Sequence, residues 1–119
     1  IDASFISLKI LLPVVRGWFE EIGQVVALIK PQFEAGRQDA AKGEGVIRDP
    51  AVHQKVLYEV LTAAGQEGFE ISGLIRSPLL GPKGNTEFLV WLKTPRTQPM
   101  DIEPLISSLF VDKPQGVEE

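Results

Sequence analysis

Lys30 closes a run of apolar residues, Val25 to Ile29, and Pro31 follows it at once. A short run rich in Val and Ile reads as a strand buried on both faces, the usual state of a central strand in a parallel sheet. Pro31 has no N–H to give to a ladder, so the strand stops there. An amine at the carboxyl end of a central strand stands where open α/β sheets bind ligands. Two carboxylates can join it. Asp2 lies within Ile1 to Ser7, a segment that begins like the end of a strand, and Glu87 opens the last strand, EFLVWLK. If that strand runs antiparallel to the first two, its start lies beside their carboxyl ends. An acid, an amine and an acid then share one cleft, the equipment of proton transfer. The plainer alternatives are a solvated chain start for Asp2, a charged strand terminus for Lys30 and an edge-guarding charge for Glu87.

The elements that must hold these residues follow from periodicity. Leu8, Leu11, Leu12, Val15, Trp18, Phe19 and Ile22 fall at helical spacing, interrupted by Pro13 and closed by Gly23. Trp18, like Trp91 further on, occupies a periodic apolar position and is most simply core. Gln32 to Arg48 is a long connection with alternating charges, of a length that is usually functional or mobile in a compact domain. Asp49 and Pro50 give a helix start, and Val52, Val56, Leu57, Val60, Leu61 and Ala64 give its apolar stripe. Phe69, Ile71, Gly73 and Ile75 alternate as a strand does. The short, turn-rich link from Pro78 to Thr86 favours antiparallel pairing of that strand with the next. Asp101 is placed to cap a last helix, and the end of the chain has little to bury. The order predicts an α/β domain over residues 1–111, with a mixed sheet ending in an antiparallel hairpin, and a flexible tail over 112–119.

Bulk properties narrow the function. The chain has 119 residues, room for one domain, and a net charge of −4, which argues against a generally basic nucleic-acid binder but not against a local basic site. With no cysteine there is no disulfide, thiolate metal site or cysteine nucleophile, which suits a reducing compartment such as the cytoplasm. No apolar stretch approaches the roughly 18–20 residues that cross a bilayer. His53 is the sole histidine, and a metal site would need partners that the sequence does not offer. Arg37, Lys42 and Arg48 in the long connection are candidates for RNA phosphates, diluted by Glu34, Asp39 and Glu44 among them.

The segments DASFISL, VALIKPQFEAGR, KGEGVIRDPAVH and GNTEFLVWL together carry a resemblance. They are similar to the C-terminal half of the haemolysin A-type proteins, FtsJ-like ribosomal RNA ribose 2′-O-methyltransferases that use S-adenosylmethionine. The resemblance runs from Asp2 to about Lys93. It implies a Rossmann-like fold and a Lys-Asp-Lys-Glu catalytic tetrad, whose Asp falls on Asp2, second Lys on Lys30 and Glu on Glu87. It also sets Asp2, Ser4 and Phe5 where such a strand end meets the cofactor or the target nucleotide.

The family's first catalytic Lys, its Gly-rich cofactor loop and its small N-terminal RNA-binding domain would all lie upstream of Ile1. The chain is therefore expected to be the back part of a methyltransferase, inactive alone. Its first strand is expected to leave an open sheet edge prone to self-association. The chemistry fits such an assignment. A neutral ribose hydroxyl is a poor nucleophile, so a base must take its proton. Two other functions stay in view. One is a non-catalytic α/β interaction module. The other is a membrane-acting haemolysin, which the negative charge and the lack of a spanning segment or a long basic amphipathic helix disfavour.

Overall fold

The computed structural model describes residues 1–36 and 45–110. Helix α1 (Leu8–Arg16) buries Leu8, Leu12 and Val15 and runs on through Pro13. Its first turn is satisfied twice over. The Ser7 hydroxyl accepts from the Lys9 N–H at 3.0 Å, and the Glu34 carboxylate accepts from the Leu8 N–H at 2.7 Å and the Ser7 hydroxyl at 2.6 Å. A carboxylate there also meets the positive end of the helix dipole. The helix stops earlier than its apolar spacing suggests. The Gly17 N–H bonds back to the Pro13 and Val14 carbonyls, and Trp18 and Ile22 beyond it are exposed rather than core.

Strand β1 (Gly23–Ile29) leads into a single helical turn, α2 (Pro31–Glu34). Helix α3 (Pro50–Gln66) starts as its sequence indicates, with the Asp49 carboxylate accepting from the Ala51 N–H at 2.9 Å and Pro50 in the first turn. It buries Val56, Leu57, Val60, Leu61 and Ala64. Gly68, at φ 89°, turns the chain out of α3 in a conformation that glycine adopts without strain. Strand β2 (Glu70–Arg76), a 3-10 turn (Pro82–Gly84), strand β3 (Phe88–Thr94) and helix α4 (Glu103–Phe110) follow. The last helix thus opens two residues after Asp101.

The sheet order is β1-β3-β2, and β3 runs antiparallel to both neighbours. The β2–β3 hairpin is the one that the short link implies. The mixed sheet, with β1 buried at its centre, is not what forms among the described strands. β3 inserts between β1 and β2, so the two strands that run the same way are not paired with each other. The only parallel geometry among the described residues is at the chain start, where the Ile1 amine donates to the Val26 carbonyl at 2.6 Å and the Ile1 carbonyl accepts from the Leu28 N–H at 2.9 Å.

Burial along β1 alternates. Val25, Ala27 and Ile29 face the core, while Gln24 and Val26 face out. The core lies between this face of the sheet and helices α1, α3 and α4, with Phe69, Phe88, Val90 and Leu92 among its members. On the other face Val26, Ile75 and Trp91 are exposed, so Trp91 is not core either. An uninterrupted apolar run cannot by itself distinguish burial on one face from burial on two. The bulge in β2 between Ile71 and Gly73 shifts that strand's alternation. Ile71 pairs with Leu92 on the core side, and Gly73 pairs with Trp91 on the open side.

Side chains tie the loops to this frame. Asn85 is buried; its carbonyl accepts from the Ile47 N–H at 2.9 Å, and its amide donates to the Gly45 and Pro82 carbonyls at 3.0 Å each. The Glu70 carboxylate accepts from the Thr97 N–H at 3.1 Å and the Thr97 hydroxyl at 2.9 Å, fastening the stretch after β3 to β2.

Two outcomes follow. Glu34→Ala should lower the free energy of unfolding in urea by about 1 to 2 kcal/mol, the worth of a helix cap; an unchanged midpoint would show the cap to be idle. Glu70 is held below its ordinary value, first by the Thr97 backbone N–H and then by the Thr97 hydroxyl. A carboxylate lowered in the folded state stabilises above its unfolded pKa, and that contribution disappears as pH falls through the folded value. Glu70→Gln should therefore be less stable than the parent at pH 7, with the gap in urea midpoint closing as the solution is acidified below the carboxylate range. A gap that stays constant from pH 7 to pH 3 contradicts this.

Candidate active site

The backbone brings three segments to one rim. The β1–β3 register pairs Ile29 with Phe88, and one further step sets Lys30 opposite Glu87. The same step on the other side of β3 is marked by the Ser77 N–H donating to the Glu87 carbonyl at 2.8 Å. Lys30 keeps extended dihedrals, φ −114° and ψ 98°, so the pleat continues through it. Side chains alternate along a strand. With Ile29 and Phe88 facing the core, Lys30 and Glu87 both belong to the opposite face. Ile1 pairs beside Ala27 on the core side, which gives Asp2 that opposite face as well.

The side chains use this placement. Lys30 Nζ forms an ion pair with the Asp2 carboxylate; the Lys30 side chain is only 11% exposed and that of Asp2 is 65% exposed. As N-cap of α2, Lys30 makes no side-chain cap bond, so its amine is not consumed by helix ends. Its carbonyl accepts from the Phe33 and Glu34 N–H groups at 2.8 and 3.1 Å. Pro31 fits the first helical position, where its missing N–H is no loss.

Glu87 is 6% exposed, and its Oε2 accepts from Gln32 Nε2 at 2.7 Å. The wall beside it is Gly81. A Cβ there would lie 2.1 Å from Glu87 Oε2, so only glycine leaves the carboxylate its place. The Lys30 amine is thus paired with Asp2, while Glu87, opposite Lys30 in register, is bonded to Gln32 and forms no ion pair with Lys30.

Ser4 and Phe5 are exposed, Phe5 by 89%. Phe5 is held at φ 64°, a left-handed conformation that costs an L-residue about 1 to 2 kcal/mol, and its ring centroid is 4.7 Å from that of Phe33. Arg48 is exposed, while Arg37 and Lys42 lie outside the described residues. His53 is buried, with Nε2 2.8 Å from the Ile47 carbonyl and its ring edge-on to Phe88, which is a structural role. Among the described residues no cluster of three metal-ligating side chains occurs.

Gln32 and Gly81 were not legible as site residues in the sequence. Gln32 stands in a junction that already carries the charged Lys30 and Glu34, so one more polar residue there gave little signal. Glycine at the turn before Glu87 was legible only as turn chemistry.

Comparison with known proteins gives a consistent answer. The profile of the FtsJ-like methyltransferase family matches residues 1–94. The 16S/23S rRNA (cytidine-2′-O)-methyltransferase TlyA of Mycobacterium tuberculosis is 40% identical over 93 residues, covering 78% of this chain and 34% of its own length. Hemolysin A of Brachyspira hyodysenteriae is 41% identical over 91 residues, covering 74% of this chain and 36% of its own length. A Lactococcus lactis protein assigned as a hemolysin superposes with a TM-score of 0.78 at 47% identity, covering 91% of this chain and 53% of that one. The chain thus spans about a third of the length of the curated relatives it matches. With Asp2, Lys30 and Glu87 all inside the matched segment, the chain belongs to the FtsJ-like methyltransferase family.

Proposed function

We propose that this chain supplies the proton-transfer rim of an S-adenosylmethionine-dependent methyltransferase acting on a ribose 2′-hydroxyl of ribosomal RNA. It would represent the C-terminal half of that enzyme's Rossmann-like domain, working in the cytoplasm where ribosomes are built. The observation that carries the reading is the Lys30–Asp2 ion pair set in register beside Glu87, on a segment matched by the family.

Each residue has a role in it. Lys30 Nζ takes the proton from the 2′-hydroxyl as the oxygen becomes a nucleophile, and it does so only as the free amine, after giving up the proton that it carries as the ammonium paired with Asp2. Asp2 fixes where that nitrogen sits. Glu87, held from the other side, is the second acid of the frame. The cofactor supplies an electrophilic methyl group on a sulfonium. The residues present suit such a cation: Asp2 and Glu87 bring anionic oxygens to the rim, and Asp2, Ser4 and Phe5 are the exposed groups of this chain that would face it. Arg48, with Arg37 and Lys42, would meet RNA phosphates. This chain alone would not turn over, because the cofactor site draws on parts of the domain beyond it.

A membrane-acting reading has only the names of relatives behind it. No helix among the described residues is long and apolar enough to cross a membrane.

The test is transfer of labelled methyl from S-adenosylmethionine to rRNA by the complete natural protein. Lys30→Ala should reduce the rate by about 100-fold or more, the scale of general-base catalysis. A variant that methylates as fast as the parent would leave a non-catalytic interaction module.

A further inference from the structure

Among the described residues, Gln32 is a buried polar side chain on this rim that the proposed chemistry does not yet use. It lies in the first turn of α2, two residues after Lys30, and is 8% exposed. Its Nε2 donates to Glu87 Oε2 at 2.7 Å. Its Oε1 is buried and, among the described residues, has no hydrogen-bond partner. A buried carbonyl left unsatisfied costs about 1 to 3 kcal/mol. An amide with one idle end is therefore expensive as filler, and an apolar side chain of similar size would fill the space without that cost.

What the amide does that an apolar group cannot is hold the Glu87 carboxylate. An amide N–H donates only, so the bond turns one carboxylate oxygen of Glu87 toward α2. It is also uncharged, so it fixes Glu87 without placing a second cation beside Lys30. The same oxygen occupies the space that a Cβ on Gly81 would take. Glu87 is thus held by a donor and packed close to Gly81, with Lys30 opposite it in register. Donor and amine belong to one short junction, so any movement of α2 carries both.

We propose that Gln32 is a positioning residue of this site: through Nε2 it locks the Glu87 carboxylate against the Lys30 end of β1. The role rests on the methyltransferase reading given above and acts through Glu87, not through contact with the substrate.

The test uses the complete natural protein and labelled methyl transfer to rRNA, with Lys30→Ala alongside. Gln32→Met keeps the bulk and removes the donor. It should lower kcat by about 10- to 100-fold, the cost of a catalytic group misplaced by about 1 Å, with KM for RNA and cofactor within twofold. Gln32→Glu supplies the discriminating readout. Two carboxyl groups in contact share a proton, and a protonated Glu at 32 can donate to Glu87 as the amide does. Its rate relative to the parent should rise as pH falls, whereas that of Gln32→Met stays low at every pH. A merely structural residue would not shift the pH profile. Thermal melts of each variant, read beside the rates, separate misplacement from unfolding. Parallel pH profiles for the two variants, or a Gln32→Met kcat within twofold of the parent while Lys30→Ala is inactive, overturn the role of Gln32 alone. A parent protein that transfers no methyl group, or a fully active Lys30→Ala, overturns the enzyme reading and this one with it.

Discussion

The constraint on which the rest depends is the forced ending of β1 at Pro31. Because the proline cannot continue the ladder, the chain turns there into the single turn of α2, and Lys30 is left at the lip with extended dihedrals. From that junction three side chains at alternate positions reach three other parts of the fold. Lys30 pairs with Asp2, Gln32 holds Glu87, and Glu34 caps α1 through Ser7 and Leu8. Five residues thus tie together the chain start, the first helix and the central strand. The site depends on contacts distant in sequence, all anchored at one local break in the backbone.

The sheet explains why these contacts meet. Antiparallel pairing of β1 with β3 brings the end of one strand to the beginning of the other, which is how residues 30 and 87 become neighbours. The period of two then assigns them to the same face. That face carries Val26, Ile75 and Trp91 in the open, while the helices cover the other. The apolar core thus lies under the helices, while the candidate site residues sit at the end of the opposite face.

Much of this was legible in the residues. Asp49-Pro50 announced α3, the β2–β3 hairpin followed from a short turn-rich link, and the breaking effect of Pro31 located Lys30. Other features were not, for definite reasons. The position of β1 depends on where β3 inserts, a tertiary fact that no local pattern contains. Trp18 looked like core because helical spacing continued through it, but Gly17 ended the helix first. Trp91 kept its strand spacing and landed on the uncovered face. Gln32 and Gly81 matter only through what touches them across 55 and 6 residues of chain, so their types alone carried little signal.

Proton transfer at this rim requires the Lys30 nitrogen to point at the substrate when it is bound. A structure of the complete natural protein with S-adenosylmethionine and a short rRNA segment measures this directly. The expected result is Lys30 Nζ within about 3.2 Å of the target ribose 2′-oxygen, hydrogen-bond reach for a base, with Asp2 and Glu87 flanking it. A 2′-oxygen approached by some other base, with Lys30 turned away and paired only to Asp2, would contradict the account.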